Sequence, residues 1–196
     1  MSANTQKLLT FIQDISRLLE NEPDEAVILA EGRKLVATLV SSDEWLPDAF
    51  AQPHPDHYQQ YLLYADPLDR LSIVSFVWGQ GQKTPVHDHL IWGIVGGLRG
   101  KEQEITFQKQ ADGSYRETGR GILDAGGVTA VSPNIGDIHE VSNALENQPS
   151  ISIHVYGKNI GRVHRHVFDI ATGAAKSFVS GYANDVLPNL WSGTAA

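Results

Sequence analysis

Cysteine is absent from this sequence of 196 residues. Its absence excludes disulfide bonds, thiolate metal ligands and a cysteine nucleophile, so histidine and the acidic residues are left as candidate metal ligands. Positive charge is scarce as well, because 15 Lys and Arg stand against 23 Asp and Glu, a net charge of −8. This balance argues against nucleic acid or an anionic membrane surface as the main partner. An anionic small substrate would need a basic residue close to it.

Long apolar runs are also missing. No uninterrupted apolar stretch approaches about 18 residues, the length expected of a membrane-spanning helix. Residues 1–5 lack the basic and then apolar pattern of a signal peptide. Hydrophobic residues make up 41% of the chain and charged residues 19%, which is ordinary for a globular protein. We therefore expect a single domain over residues 1–196 and a cytoplasmic location.

The chain divides into a helical part, about residues 5–50, and a β-rich part, about residues 58–170. Apolar residues recur at helical spacing up to about residue 40, and Pro23 divides this stretch into two amphipathic helices because proline disfavours helix in the residue before it. Short runs of β-branched and aromatic residues between turn-forming clusters then indicate an antiparallel sandwich or barrel. The pattern predicts strands over 71–78, 91–95, 104–107, 128–131 and 150–156, and it does not place 179–196.

Three histidines are candidate ligands of one metal ion. His87 and His89 are two residues apart, and such residues in an extended segment point to the same side. His139 follows a turn that contains proline and glycine and should begin a neighbouring strand, which makes it the best third ligand. Asp88 would point to the opposite face, where a supporting hydrogen bond is its expected role. The alternative is that the first two histidines are exposed strand positions and the third an unrelated turn residue.

The segment 150–156 alternates polar and apolar residues. Ser152, His154 and Tyr156 would share one face and form a hydrogen-bonded row, since same-face neighbours lie about 6.8 Å apart and an imidazole can bridge hydroxyls on either side. Such a row would fix the tautomer of His154 and direct the Tyr156 phenol at the metal. The alternative is a half-exposed strand with a wet outer face. A serine hydrolase is disfavoured because no Gly-x-Ser-x-Gly turn is present.

The spacing around the histidines resembles the two motifs of the cupin superfamily. Residues 81–100 match Gly-x5-His-x-His-x3-4-Glu-x6-Gly through His87 and His89, with Gly93 where the glutamate ligand stands, and residues 127–143 match the second motif with one extra residue. Three neutral imidazoles leave the charge of a divalent ion uncompensated, which favours an anionic ligand such as a thiolate. The resemblance implies a mostly β fold, the double-stranded β-helix or antiparallel jelly-roll barrel, with the N-terminal helices packed outside.

Over about residues 58–168 the chain resembles the bacterial thiol dioxygenases of that superfamily, the cysteine dioxygenase and 3-mercaptopropionate dioxygenase group. The resemblance rests on the three histidines and on the Ser-His-Tyr triad, whose spacing is matched by Ser152, His154 and Tyr156. It implies that His87, His89 and His139 bind Fe(II).

Two departures from the mammalian-type enzymes point to one branch of this group. Gln60 replaces the arginine that holds the carboxylate of cysteine there, and Gly93 lies nearest the place of the missing cysteine of the Cys-Tyr crosslink. The glutamine-type branch includes 3-mercaptopropionate dioxygenases, in which an arginine after the triad holds the carboxylate. Arg162 and Arg165 both follow the triad, and spacing from His139 favours Arg165, whose planar fork can pair with a carboxylate. A surface ion pair is the alternative for either arginine.

We therefore predict a non-haem Fe(II) dioxygenase that adds both atoms of dioxygen to the sulfur of a small thiol carboxylate, 3-mercaptopropionate first and cysteine next. Tyr156 would hydrogen-bond at the open face of the metal, and Ser152 with His154 would hold Tyr156 in place. Arg165 and Gln60 would bind the substrate. The expected partners are the thiol and dioxygen, without nucleic acid or membrane, and no oligomeric state is predicted. Two other classes stay open: a cupin with zinc or nickel that acts as an isomerase or decarboxylase, and a non-catalytic ligand-binding cupin.

Overall fold

Two helices open the computed structural model, which describes residues 5–191. They are α1 (Gln6–Leu19) and α2 (Glu25–Leu39), followed by a short 3-10 turn, Asp48–Phe50. The predicted pair of helices is therefore confirmed. None of the described helices has the length and apolar character needed to cross a membrane.

Within residues 5–191, ten strands follow the helices. They are β1 (Gln59–Ala65), β2 (Ser72–Trp78), β3 (Gly93–Arg99), β4 (Lys101–Lys109), β5 (Tyr115–Asp124), β6 (Val128–Val131), β7 (His139–Asn143), β8 (Ser150–Tyr156), β9 (Arg165–Phe168) and β10 (Ala175–Phe178). The strands predicted over 128–131 and 150–156 have the predicted bounds. The prediction over 104–107 was too short, since β4 begins three residues earlier and ends two later. The prediction over 91–95 began two residues too early and ended four residues too early.

Strand β5 was not predicted at all, and the reason lies in its position. It pairs on one side with β4 and forms the edge of its sheet, and most of its residues are exposed. An exposed edge strand needs no apolar alternation, which is the pattern that sequence reasoning relies on. Of the stretch that the sequence did not place, residues 179–191 contain no helix or strand, and residues 192–196 lie outside the described part of the chain.

All paired strands run antiparallel in three sheets. The largest has the order β1-β2-β8-β3-β6, a second has the order β5-β4-β7, and β9 pairs with β10. Both helices pack on the outer face of the five-stranded sheet, where Ile151, Ile153 and Val155 of β8 join the main hydrophobic core. Contact is close enough that a Cβ at Gly32 of α2 would lie 2.5 Å from Ile94 Cδ1. The predicted fold class, an antiparallel double-stranded β-helix with N-terminal helices outside, is confirmed.

Candidate metal centre and active site

The three candidate ligands meet through backbone pairing. The amide of His87 donates to the His139 carbonyl at 2.9 Å, and the amide of His139 donates back to the His87 carbonyl at 3.1 Å. His89 lies two residues on, and the centroids of the three imidazole rings are 4.8 to 4.9 Å apart. All three side chains are buried, and one ligand atom from each lies within 4.8 Å of the others. The residues named from their spacing therefore converge on one point.

The segment that carries His87 and His89 differs from the strand assumed in the sequence analysis. It lies outside the named strands and makes isolated bridges through His87 to His139 and to Val167. Pro85 lacks an amide hydrogen and cannot donate to a ladder, which suits an irregular segment better than a central strand. The extended backbone still places both imidazoles on one side, with Asp88 on the other.

Each histidine uses its Nδ1–H in a hydrogen bond to an oxygen, which leaves Nε2 as the atom available to a metal. The acceptors are the Pro85 carbonyl for His87 at 3.0 Å, Asp137 for His89 at 2.9 Å and Glu104 for His139 at 2.5 Å. Nε2 of His139 is buried and has no hydrogen-bond partner among residues 5–191. Orientation by second groups of this kind is usual for histidines that bind metals.

Burial keeps two of these imidazoles neutral. It lowers the pKa of His87 and His89 well below the ordinary value, and the neighbouring histidines lower both further. Neutral imidazole is the form that binds a metal. The three-histidine group therefore fits a divalent transition-metal ion, and the donor set suits zinc, copper, iron and nickel alike.

Two acidic residues hold the loop that carries His89. Besides the His89 ring, Asp137 accepts the backbone amides of His89 at 3.0 Å and Leu90 at 2.8 Å. Leu90 adopts a φ of 61°, in the left-handed region that a leucine rarely occupies, so these bonds stabilise a strained turn beside the ligand. Asp88 points away and accepts the amide of His166 at 2.7 Å and its Nδ1–H at 2.9 Å, which confirms the opposite-face hydrogen bond expected for Asp88.

The polar residues of β8 form a continuous hydrogen-bonded row. Ser152 Oγ lies 2.8 Å from His154 Nε2, and His154 Nδ1 lies 2.8 Å from the Tyr156 hydroxyl. Trp78 Nε1 donates to Ser152 Oγ at 3.3 Å. Every residue of β8 is buried because the strand lies between β2 and β3, so the row is not a wet outer face. We call these three residues the polar row.

Tyr156 brings the polar row to the histidines. Its ring stacks on the His89 ring with a centroid distance of 5.4 Å, and burial raises the pKa of its phenol, which stays protonated. Gly93 faces it from β3. A Cβ at Gly93 would lie 3.0 and 3.1 Å from two ring carbons of Tyr156 and 3.1 Å from Val131, so a glycine leaves the room that the phenol occupies.

A cavity of about 250 Å³, here called the first cavity, joins these groups. Every predicted site residue except Ser152 lines it, and Ser152 lies one step behind His154 in the polar row. The lining consists of Tyr58, Gln60, Phe76, Trp78, Thr84, Pro85, His87, His89, His139, Val141, His154, Tyr156, Arg165, Val167 and Phe178. Among the described residues, neither an aspartate nor a glutamate lines this cavity.

Arg165 supplies the positive charge of the first cavity. It is 3% exposed, one Nη donates to Ser180 Oγ at 2.8 Å, and its guanidinium carbon lies 4.7 Å from the centre of the Phe178 ring. Its Nε is buried and has no hydrogen-bond partner within the described residues. Arg162 is the exposed last residue of the 3-10 turn Ile160–Arg162 and does not line the cavity. The structure therefore brings Arg165, at the start of β9, to the first cavity and leaves Arg162 outside it.

The sequence model of the cysteine dioxygenase type I family matches residues 1–169 of this chain. The chain belongs to the cysteine dioxygenase type I family. Membership implies a metal-dependent dioxygenase that acts on a small thiol and dioxygen. It also confirms the resemblance drawn from the histidines and the triad.

Solved structures similar to this cysteine dioxygenase family member include several cupins. A protein with a double-stranded β-helix domain from Klebsiella pneumoniae is 16% identical, with 57% of this chain and 85% of that chain covered and a TM-score of 0.45. An RmlC-like cupin from Ralstonia eutropha is 16% identical, with 64% and 69% covered and a TM-score of 0.43. A cupin superfamily protein from Desulfitobacterium hafniense is 16% identical, with 55% and 84% covered and a TM-score of 0.41.

Two residues that orient the histidines of this cysteine dioxygenase family member were not predicted from the sequence. Glu104 and Asp137 orient two of the histidines, although they lie 35 and 48 residues from them in sequence. Glu104 carried one signal, the alternation Glu-x-Glu that gives it the same strand face as Glu102. Asp137 precedes His139 by two residues, but nothing in its spacing indicates that it contacts His89.

Proposed function

We propose that this chain is a non-haem Fe(II) thiol dioxygenase that converts 3-mercaptopropionate, in preference to cysteine, to the sulfinate. The observation that carries the proposal is the content of the first cavity. Three imidazoles with free Nε2 atoms, a protonated phenol and a buried arginine face one space large enough for a small thiol carboxylate.

His87, His89 and His139 would hold the ion. When bound, ferrous iron supplies a cationic centre that favours the thiolate form of the substrate and the redox chemistry that joins sulfur to dioxygen. Three neutral ligands leave both positive charges of the ion for the substrate, because no carboxylate belongs to the ligand set. Glu104 and Asp137 act at a distance by holding the rings of His139 and His89 in position.

Arg165 would bind the substrate carboxylate. The guanidinium is buried, takes part in no ion pair among residues 5–191 and has an unpaired Nε beside the Nη that Ser180 occupies. A carboxylate would supply the missing acceptor in a charge-assisted pair. Gln60 lines the same cavity without charge, so Arg165 carries the ionic part of recognition.

The lining of the first cavity also favours 3-mercaptopropionate over cysteine. Cysteine brings an ammonium group, and the lining has no aspartate or glutamate to receive it. A buried ammonium next to Arg165 and a metal cation would be unpaired, which is costly in free energy. Cysteamine, which carries the ammonium without a carboxylate, should be the poorest substrate of the three.

Tyr156 would hydrogen-bond to the substrate or dioxygen at the open face of the metal. Its phenol is protonated and its position is fixed by His154, which Ser152 holds in turn. This arrangement gives a preorganised hydrogen-bonding group whose oxygen is already in position for the reaction.

Oxygen consumption by the iron-loaded protein tests the proposal. Oxygen-electrode assays with 3-mercaptopropionate, cysteine and cysteamine should give the highest kcat/KM for the first and the lowest for the last, with the sulfinate identified by mass spectrometry. Turnover of cysteamine equal to that of 3-mercaptopropionate would remove Arg165 from recognition. No oxygen uptake with any thiol would overturn the dioxygenase and leave the zinc or nickel cupin and the binding protein as the remaining classes.

A further inference from the structure

A second cavity, of about 330 Å³, meets the first at His139, Val141 and His154. Its other walls come from different parts of the fold and include the exposed residues Ile122 and Asp124 of β5. The second cavity therefore leads from the surface to the back of the polar row. The first cavity reaches the polar row from the substrate side.

Glu102 lines the inner end of the second cavity. It shares the inward face of β4 with Glu104, which holds the His139 ring. Glu102 is 4% exposed, and its buried Oε1 has no hydrogen-bond partner among the described residues. The Ser152 and Ser150 side chains of β8 lie close to this carboxyl group. Glu102 contacts neither the three histidines nor the substrate in the proposed function.

Burial of Glu102 makes it a group that exchanges a proton near neutral pH. Burial raises the pKa of Glu102 to about 8, and the nearby hydroxyls and the Trp78 indole N–H oppose that rise. A proton-transfer group works best when its pKa lies near the working pH. The group is therefore protonated in part and ionised in part under ordinary conditions.

The proposed reaction must dispose of one proton. A thiol RSH and dioxygen give the sulfinate RSO2⁻ and H⁺: the S–H bond breaks, two S–O bonds form, sulfur loses four electrons and dioxygen gains four. The lining of the first cavity contains no carboxylate to receive that proton.

We propose that Glu102 ends the polar row and passes the proton of the thiol to solvent through the second cavity, a role that rests on the proposed function. Tyr156 gives its O–H proton to His154 Nδ1 as it takes up the thiol proton, His154 gives its Nε2–H to Ser152, and Ser152 gives its O–H to the Glu102 carboxylate. The two hydrogen bonds within the polar row are 2.8 Å long. Trp78 donates to Ser152 Oγ, so the Ser152 O–H can turn toward the nearby Glu102 carboxylate.

Other charged groups around Glu102 are already engaged or neutral. Across the strand pairs it faces Leu123 of β5 and Asn143 of β7, neither of which titrates. Burial lowers the pKa of His154 on β8 well below the ordinary value, so that ring is neutral. The remaining titratable groups lining this cavity are His139 and Glu104, which bond to each other, and Asp124, which pairs with Lys101 at 3.0 Å.

Infrared spectroscopy of the wild-type protein gives the first test. The carbonyl stretch of a protonated carboxylic acid should disappear between about pH 6 and about pH 10 with a midpoint near 8. The band should be absent from Glu102→Gln and present in Glu117→Gln, a matched control in which an exposed acid paired with Arg120 is replaced. A wild-type protein without such a band would overturn the proposal, whatever the variants do.

The pH profile of the iron-loaded enzyme gives the second test. With 3-mercaptopropionate, wild-type kcat should rise with pH through an inflection near 8 as Glu102 ionises. In Glu102→Gln this inflection should disappear and kcat should fall roughly 100-fold, while KM for the thiol stays unchanged. Glu102→Asp should restore part of both. Retained oxygen uptake with an unchanged inflection in Glu102→Gln would remove the role of Glu102 alone, whereas no uptake by the wild-type enzyme would remove the proposed function itself.

Discussion

Replacement of Arg165 by methionine tests whether this side chain recognises the substrate carboxylate. Methionine keeps an unbranched apolar stem while it removes the charge, the hydrogen-bond donors and the guanidinium that lies over the Phe178 ring. A carboxylate held by the buried guanidinium would gain two charge-assisted hydrogen bonds, each contributing about 1.5–3 kcal/mol. Their loss amounts to about 3–6 kcal/mol, which corresponds to a fall of roughly 10²- to 10⁴-fold in kcat/KM.

Steady-state oxygen uptake measures this effect with two thiols. With 3-mercaptopropionate, Arg165→Met should show the full loss, whereas with cysteamine, which has no carboxylate, the two enzymes should agree within a few fold. Arg162→Met is the matched control, because that arginine is exposed and lies three residues away on the same segment. Thermal unfolding of each variant checks that the fold is retained.

Two results would refute this reasoning. A loss of less than about tenfold with 3-mercaptopropionate would mean that the carboxylate is not paired with Arg165. An equal loss with cysteamine would mean that Arg165 supports the cavity through Ser180 and Phe178 and does not recognise a substrate group.

Three further predictions follow from the neighbouring contacts. Glu104→Gln should weaken Fe(II) binding about 10- to 100-fold in a competitive chelator titration, because Glu104 is the hydrogen-bond partner that orients His139. Glu102→Gln should leave the Fe(II) affinity unchanged. Equal Fe(II) affinities in the two variants would disprove the orienting role of Glu104. Gly93→Ala should cost about 1–3 kcal/mol in denaturant unfolding and lower kcat, because its Cβ would crowd Tyr156 and Val131 at 3.0 to 3.1 Å; an unchanged kcat would show that the phenol has room to move. The pKa of Glu102 is raised to about 8 from 4.5, so between these two pH values the native state keeps the carboxyl proton that the unfolded chain has already released. The free energy of unfolding of the wild type should therefore fall as pH rises from 4.5 to about 8. Glu102→Gln should therefore gain on the wild type with rising pH, by at most about 5 kcal/mol above pH 8, and a difference independent of pH would contradict the raised pKa.

The parts of the fold that bury one regular face were predictable from the sequence. Strand β8 alternates polar and apolar residues without interruption, and its bounds and both of its faces were inferred correctly. Strand β5 is an exposed edge whose sequence follows no apolar period, so its prediction required knowledge of its partner β4. The segment of His87 has an extended backbone but belongs to no named strand, a difference that spacing alone does not reveal.

In the site, motif spacing identified side chains but not the partners that orient them. Glu104 reaches His139 because the register of β4 on β7 brings them together, and no local pattern contains that register. Burial of Glu102 also depends on tertiary packing, since a single glutamate in a strand is exposed far more often than buried. The candidate ligands, which lie in two short motifs, were thus accessible to sequence reasoning, and the network around them needed the structure.

Anaerobic titration with Fe(II), followed by X-ray absorption spectroscopy at the iron edge, tests the three-histidine centre most directly. The wild-type protein should bind one ferrous ion per chain with three imidazole nitrogens among its ligands, and His139→Ala should lose the ion while its circular dichroism spectrum shows an intact fold. Iron held by oxygen ligands alone, or equal iron uptake by His139→Ala, would contradict the account.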